Sequence, residues 1–142
     1  MTSRTLAKKI AEFALTKKAY DVVLLDLRRL TSTTDFFVLC SADSDTQVKA
    51  IADEVERQTA DIGMPVWHTE GFQASTWVIL DFVDVVVHVF HRDTRSYYNL
   101  ERLWSDAKVT AIEDDAESPQ PSRKSIKARA TTRKNTARMI KQ

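Results

Sequence analysis

Glu70-Gly71, Trp77-Val78-Ile79-Leu80-Asp81, Asp84-Val85-Val86-Val87-His88-Val89-Phe90, Arg95, Tyr98, Leu100-Glu101 and Leu103-Trp104 all fall within one stretch, Glu70 to Ala107. Trp77–Phe82 and Asp84–Phe90 read as strands, and the gap between them is too short for anything but a tight hairpin. Asp93 or Thr94 can cap a final helix running to about Ala107. Alternation sets Trp77, Ile79 and Asp81 on one side of the first strand and Val78, Leu80 and Phe82 on the other. In the second, Val85, Val87 and Val89 oppose Asp84, Val86, His88 and Phe90. One face is uniformly aliphatic and belongs against helices. The other mixes Trp, Asp, His and Phe. The stretch holds two of the three Trp, two of the three Tyr and two of the three His. It has no paired-cysteine motif, no glycine-rich phosphate loop and no obvious nucleophile. Aromatics without chemistry suggest a docking surface. A second reading places Trp77 and Phe90 in the core, with His88 and Asp81 paired as a buried polar contact. Alternation alone fits both.

Upstream, Ser3 or Thr5 can cap a helix to about Lys18, with Leu6, Ile10, Phe13 and Ala14 on one stripe. Val22–Leu27 and Asp35–Ala42 read as strands, and the polar link 28–34 permits an antiparallel return. Asp43 or Ser44 opens a second helix, with Gln47 placed for a capping box and Gly63 and Pro65 ending it. Val66–Thr69 is a short strand. A strand, a helix and a strand in this order favour a parallel crossover. The order αββαβββα gives an α/β domain with a mixed five-stranded sheet and flanking helices.

With 43% apolar and 29% charged residues in 142, the chain fits one globular domain plus an appendage. The single cysteine, Cys40, excludes an internal disulfide framework and points to a reducing, cytoplasmic setting. No apolar run is long enough for a membrane helix. The net charge of +1 conceals an asymmetry. Residues 118–142 carry eight basic residues and no acid, leaving 13 basic and 20 acidic residues in the rest, a net of −7. The acidic body favours basic protein partners. Residues 1–112 are expected to form the domain. The segment 113–142, acidic then basic and poor in apolar residues, is expected to be a flexible tail.

Three sets of residues, spread over roughly residues 4–107, carry a family resemblance. The first is Lys18-Ala19 followed by Asp21-Val22-Val23-Leu24-Leu25-Asp26. The second is Asp35-Phe36-Phe37-Val38, Ser41, Ser44, Gln47-Val48 and Ala50-Ile51-Ala52. The third is the Glu70–Ala107 stretch. In this order and spacing the chain resembles the ribosome silencing factors, the bacterial relatives of plant Iojap. It departs from the family's usual residues at Phe36 (often Tyr), Ala42 (often Gly) and Val83 (commonly Gly). A β-branched residue disfavours positive φ, so the hairpin turn at Val83 can differ in type.

The resemblance implies a nucleotidyltransferase-like fold and a non-enzymatic translational repressor without a cofactor. Such proteins bind the large ribosomal subunit through its protein L-fourteen and block association with the small subunit when nutrients are scarce. With the resemblance, Trp77, Asp81, His88, Phe90, Tyr98, Glu101, Glu70 and Arg95 are the expected partner-binding residues. An internal Arg95–Glu101 salt bridge stays equally open, and Leu100, Leu103 and Trp104 are expected in the core. The basic tail could contact ribosomal RNA or be a solvated extension. Either a monomer or a homodimer fits. A zinc site from Cys40, His68, His88 and His91 lacks standard spacing. A nucleotidyl-transferring enzyme could use Asp26, Asp81 or Asp84, but no glycine-rich turn accompanies them; the chain has only two glycines.

Overall fold

The computed structural model describes residues 1–113. The first helix, α1 (Ser3–Leu15), is capped by the Thr2 hydroxyl, which accepts from the Thr5 amide. Its buried stripe is Leu6, Ala7, Ile10, Ala11 and Ala14. Helix α2 (Asp45–Asp61) starts at Ser44, whose hydroxyl accepts from the Gln47 amide. The Gln47 side chain accepts from the Asp43 amide, so the return bond of the expected box falls one residue before the capping position. The helix buries Val48, Ile51, Ala52, Val55 and Thr59, and Gly63 at φ +82° closes its C-terminal end.

Both helices cover one face of a single sheet. Its strands are β1 (Tyr20–Asp26), β2 (Phe36–Ala42), β3 (His68–Glu70), β4 (Trp77–Asp81), β5 (Val85–His91) and β6 (Lys108–Ile112). Their order is β3-β4-β5-β2-β1-β6. The expected antiparallel return β1–β2 and hairpin β4–β5 are both formed. Strands β2 and β5 pair in parallel at the centre. Because β3 is antiparallel to β4, and β4 to β5, the β2-α2-β3 connection is a parallel crossover that passes over two strands. The aliphatic face, including Val22, Leu24, Val38, Val78, Leu80, Val85, Val87 and Val89, packs against α1 and α2 as the main core.

Two expectations are corrected. Among the described residues the sheet has six strands rather than five, because Lys108–Ile112 returns antiparallel along β1. That segment buries little, so its own apolar pattern announces no strand; pairing with β1 creates it. The final helix is also not continuous. It ends as α3 (Arg92–Tyr98), passes through Asn99 in the left-handed region (φ +50°, ψ +62°), and resumes as the single turn α4 (Leu100–Leu103). Asn tolerates this conformation best among residues with a Cβ, and its side chain accepts from the Arg102 amide to start the new turn. The break leaves Leu103 73% exposed rather than in the core.

The β4–β5 turn is tight and strained. Val83 has φ +74°, and the Asp84 amide donates to the Phe82 carbonyl across it at 3.0 Å. Positive φ on a β-branched residue, with an i to i+2 hydrogen bond, marks a rare γ-turn. The neighbouring Asp81 carboxylate steadies it by accepting from the Val83 amide at 2.7 Å. Val83→Gly is therefore expected to raise stability by about 1 kcal/mol, relief of the left-handed penalty outweighing the extra unfolded-state entropy of glycine. Urea midpoints of the two proteins check this. Gly71 is the opposite case: at φ +91°, an added Cβ would lie 2.0 Å from the Trp77 carbonyl oxygen. Only glycine allows the backbone to approach there.

Candidate functional site

The second sheet face is where the expected site residues meet. Strand pairing sets Trp77 opposite Phe90, Ile79 opposite His88 and Asp81 opposite Val86. Cross-strand partners share a face, so these six form one aromatic and polar surface. The edge strand adds Glu70 beside Ile79 and His68 beside Asp81.

Part of this face is a second core. Leu25, Leu27, Leu39, Phe90 and Ala107 form a buried cluster, with Val23, Phe37, Trp77, Leu100 and Trp104 packed against it. Phe90 is fully buried and His88 keeps only 6% of its exposure. The expectation that these two stand open to a partner is therefore corrected. The chain leaves β5 directly into α3, and the break at Asn99 lets Leu100 and Trp104 settle over Phe90 and its neighbours. Phe90 supports the face from beneath instead of presenting itself.

Trp77 is the pivot between covered and open halves. Its ring lies 5.0 Å from Phe90 and 4.8 Å from Tyr98, centroid to centroid. Its indole Nε1–H donates to His88 Nδ1 at 3.1 Å. Tyr98 is 53% exposed, and Tyr97 meets it edge-on and is more exposed still. The expected pairing of His88 with Asp81 does not form. Both Trp77 and Asp81 are diagonal neighbours of His88, but the Asp81 carboxylate is turned to the Val83 amide. Burial pushes the His88 pKa down to about 4, so the ring is neutral at pH 7. The Trp77 bond then fixes the tautomer: Nδ1 accepts and Nε2 carries the proton.

Arg95 and Glu101 meet across the helix break, at 2.6 and 3.1 Å. Arg95 also donates to the Ser41 hydroxyl at 2.9 Å and the Asp21 carbonyl at 2.6 Å. The β1 register shifts between Tyr20 and Val23, and Asp21 there adopts φ +49°. Such irregularities release a backbone group from the ladder and re-aim it, here toward the guanidinium. Desolvation opposes the charge, but Glu101 and the nearby Asp21 override it and raise the Arg95 pKa. With its side chain only 11% exposed, Arg95 is a clamp holding α3 to β1 and β2. Glu70 is exposed on the edge strand and lies 3.1 Å from His68 Nε2.

Trp67, at 71% exposure, is an aromatic that the strand pattern of Val66–Thr69 did not single out. It shares with Ile79, Val83, Val86, Phe37 and Trp104 the walls of an open groove of about 680 Å³. A lone tryptophan after Pro65 carries no period, so only its position on the edge reveals it.

Two of the residues suited to catalysis, Asp26 and Cys40, are otherwise engaged. The Arg28 hydrogen bond to Asp26 holds that carboxylate down at about 2. Cys40 is fully buried and its thiol is pushed up to about 12 by burial, so it carries no thiolate at pH 7. Among the described residues no three His, Cys, Asp or Glu side chains gather as a metal site. Nor is any helix among them long and apolar enough to cross a membrane.

Residues 1–139 match the model of a family described as "Ribosomal silencing factor during starvation". The Bacillus subtilis protein named Ribosomal silencing factor RsfS is 42% identical over 113 residues, 80% of this chain and 96% of that protein. The Zea mays protein named Protein Iojap, chloroplastic is 32% identical over 117 residues, covering 80% of this chain and 49% of its own length. A Chromobacterium violaceum crystal structure superposes with a TM-score of 0.73 at 32% identity, covering 82% of this chain and 98% of that one.

Proposed function

Because the chain belongs to the ribosomal silencing factor family, we propose that it represses translation by binding the large ribosomal subunit, without catalysing a reaction. The partner is the basic large-subunit protein L-fourteen, and the effect is steric: the bound domain occupies volume that the small subunit needs when it docks. The observation that carries this reading is the Trp77–Tyr98 pair, with Tyr97 exposed beside it. Large aromatics already packed on one another lose little side-chain entropy when a partner covers them. Hot spots have this character, a few desolvated aromatics carrying most of the affinity. Asp81 and Glu70 supply negative charge near the aromatics, in keeping with the acidic body of the chain, while Glu101 acts by anchoring Arg95. Arg95 contributes by holding α3, and His88 and Phe90 by backing Trp77. The basic segment 118–142, outside the described residues, would add salt-sensitive contact with ribosomal RNA.

Sucrose-gradient sedimentation with purified subunits tests this. The protein is expected to travel with the large subunit and to lower the yield of joined ribosomes. Trp77→Ala and Tyr98→Ala are each expected to weaken subunit binding by about 2 kcal/mol, roughly 30-fold in Kd. Tyr98→Ala is the cleaner change, since Trp77→Ala also removes the donor to His88. A folded Tyr98→Ala, Trp77→Ala double variant that still blocks joining fully places the docking face elsewhere.

A further inference from the structure

The groove walled by Trp67 and Trp104 has a feature that its shape alone does not explain. Among the described residues, two buried side-chain polar atoms have no hydrogen-bond partner, His88 Nε2 and Thr34 Oγ1. Both residues line this groove. Native proteins satisfy nearly all such atoms, so two orphans among the residues lining one groove call for a physical cause. The His88 tautomer set by Trp77 makes Nε2–H a donor, and the Thr34 hydroxyl can donate or accept. The remaining walls are largely apolar: Phe37, Trp67, Ile79, Val83, Val86 and Trp104. Strain is stored at the rim as well, in the left-handed Val83.

We propose that this groove receives an apolar peptide segment of the protein partner, which presents an uncharged carbonyl oxygen to His88 Nε2–H. The proposal rests on the ribosomal reading above and names what that partner must offer. Three observations select this occupant. The orphan at His88 is a donor, so the incoming group must be an acceptor. The Asp81 carboxylate also lines the groove and disfavours an anion, which leaves a neutral carbonyl over a carboxylate or phosphate. The groove adjoins the proposed docking face, because Ile79 in its wall follows Trp77 by two residues on the same face of β4. Neither orphan is at the surface, so docking includes a small outward shift of a covering side chain. Trp104, half-buried at the end of the single-turn helix α4, and Phe37, 5.8 Å from it ring to ring, are the groups placed to give.

The test has two independent arms. In the first, N-acetyl-leucine methylamide, a neutral apolar carbonyl probe, is titrated into the full chain at pH 7 and followed by NMR. The expected result is a saturable shift of the His88 ring nitrogens and of the Ile79 and Val86 methyls. The anionic N-acetyl-leucine should bind at least about tenfold more weakly, and His88→Phe should abolish the response. No saturable shift in the wild type, equal binding by His88→Phe, or preference for the anion would each overturn the carbonyl site. In the second arm, Val86→Trp and separately Ile79→Trp fill the groove, with NMR confirming that each remains folded. Either plug should weaken binding to the purified large subunit at least about tenfold. Unchanged subunit affinity in a folded plug overturns the assignment of the groove to the ribosomal partner. If wild-type protein does not bind the subunit at all, the ribosomal reading has failed, whereas the groove is still judged by the first arm.

Discussion

Arg95→Met is expected to cost about 3 kcal/mol of folding stability, the low end of the range for breaking a buried ion pair. The methionine keeps the apolar stem but removes every donor. Three acceptors then lose their partner together: the Glu101 carboxylate, the Ser41 hydroxyl and the Asp21 carbonyl. Ser41 is almost fully buried, so its loss is not made good by water. Glu101 is about one-third exposed and recovers some hydration, which is why the low end applies. A shift of the urea midpoint at unchanged slope measures the effect. Adding Glu101→Gln should return part of the loss, because it removes the uncompensated charge but not the orphaned carbonyl. The same clamp fixes α3, so ribosome binding should weaken in Arg95→Met even at temperatures where the protein stays folded.

Mild acid is expected to destabilise the protein through one histidine. Burial lowers the folded pKa of His88 to about 4 from an ordinary 6.5. Above pH 6.5 both folded and unfolded chains hold it neutral, and stability is independent of its titration. Between 6.5 and 4 only the unfolded chain takes up the proton, so stability falls by about 1.4 kcal/mol per pH unit. Below 4 both states are protonated and the loss levels off at about 3 kcal/mol. Protonation of the folded ring would also end its role as acceptor for the Trp77 indole. Asp26, held at about 2, contributes stability above its ordinary 3.8 that is lost only as the pH falls further, so it leaves the upper window to His88. Urea midpoints at pH 7 and pH 4.5 should therefore diverge strongly in the wild type. They should diverge much less in His88→Phe, whatever that variant costs at neutral pH.

The elements with local signatures were legible in the sequence. The hairpin, the capped helix α2 and the helix-facing aliphatic stripe each follow from spacing of two or of three and four. The β6 strand was not, because Lys108–Ile112 is an exposed edge whose only reason to be extended is β1, far away in the chain. The break at Asn99 was hidden for a related reason. Glu101 meets Arg95 only after the helix has turned, so a helical wheel places them on one face by the wrong geometry. The site was half legible. Alternation correctly set Trp77, Asp81, His88 and Phe90 on one side of the sheet, but alternation reports which way a residue points, not what later covers it. His88 faced two equivalent diagonals, and only the strained turn at Val83, by claiming Asp81, decides for Trp77.

The sheet order has a further consequence for how the molecule comes into being. The central parallel pair joins Phe36–Ala42 to Val85–His91, and β1 is sandwiched between an early neighbour and the last described strand. No register at the centre can be sealed until the crossover helix and the whole hairpin have been made. Long-range pairing of this kind slows folding, since chain closure must precede the contacts that reward it. During synthesis the emerging segment can hold α1 and the β1–β2 hairpin, but not the platform beneath Trp77. A nascent copy therefore has no finished aromatic face while most of it is still being translated, and acquires one only once the last described strand is free to close against the first.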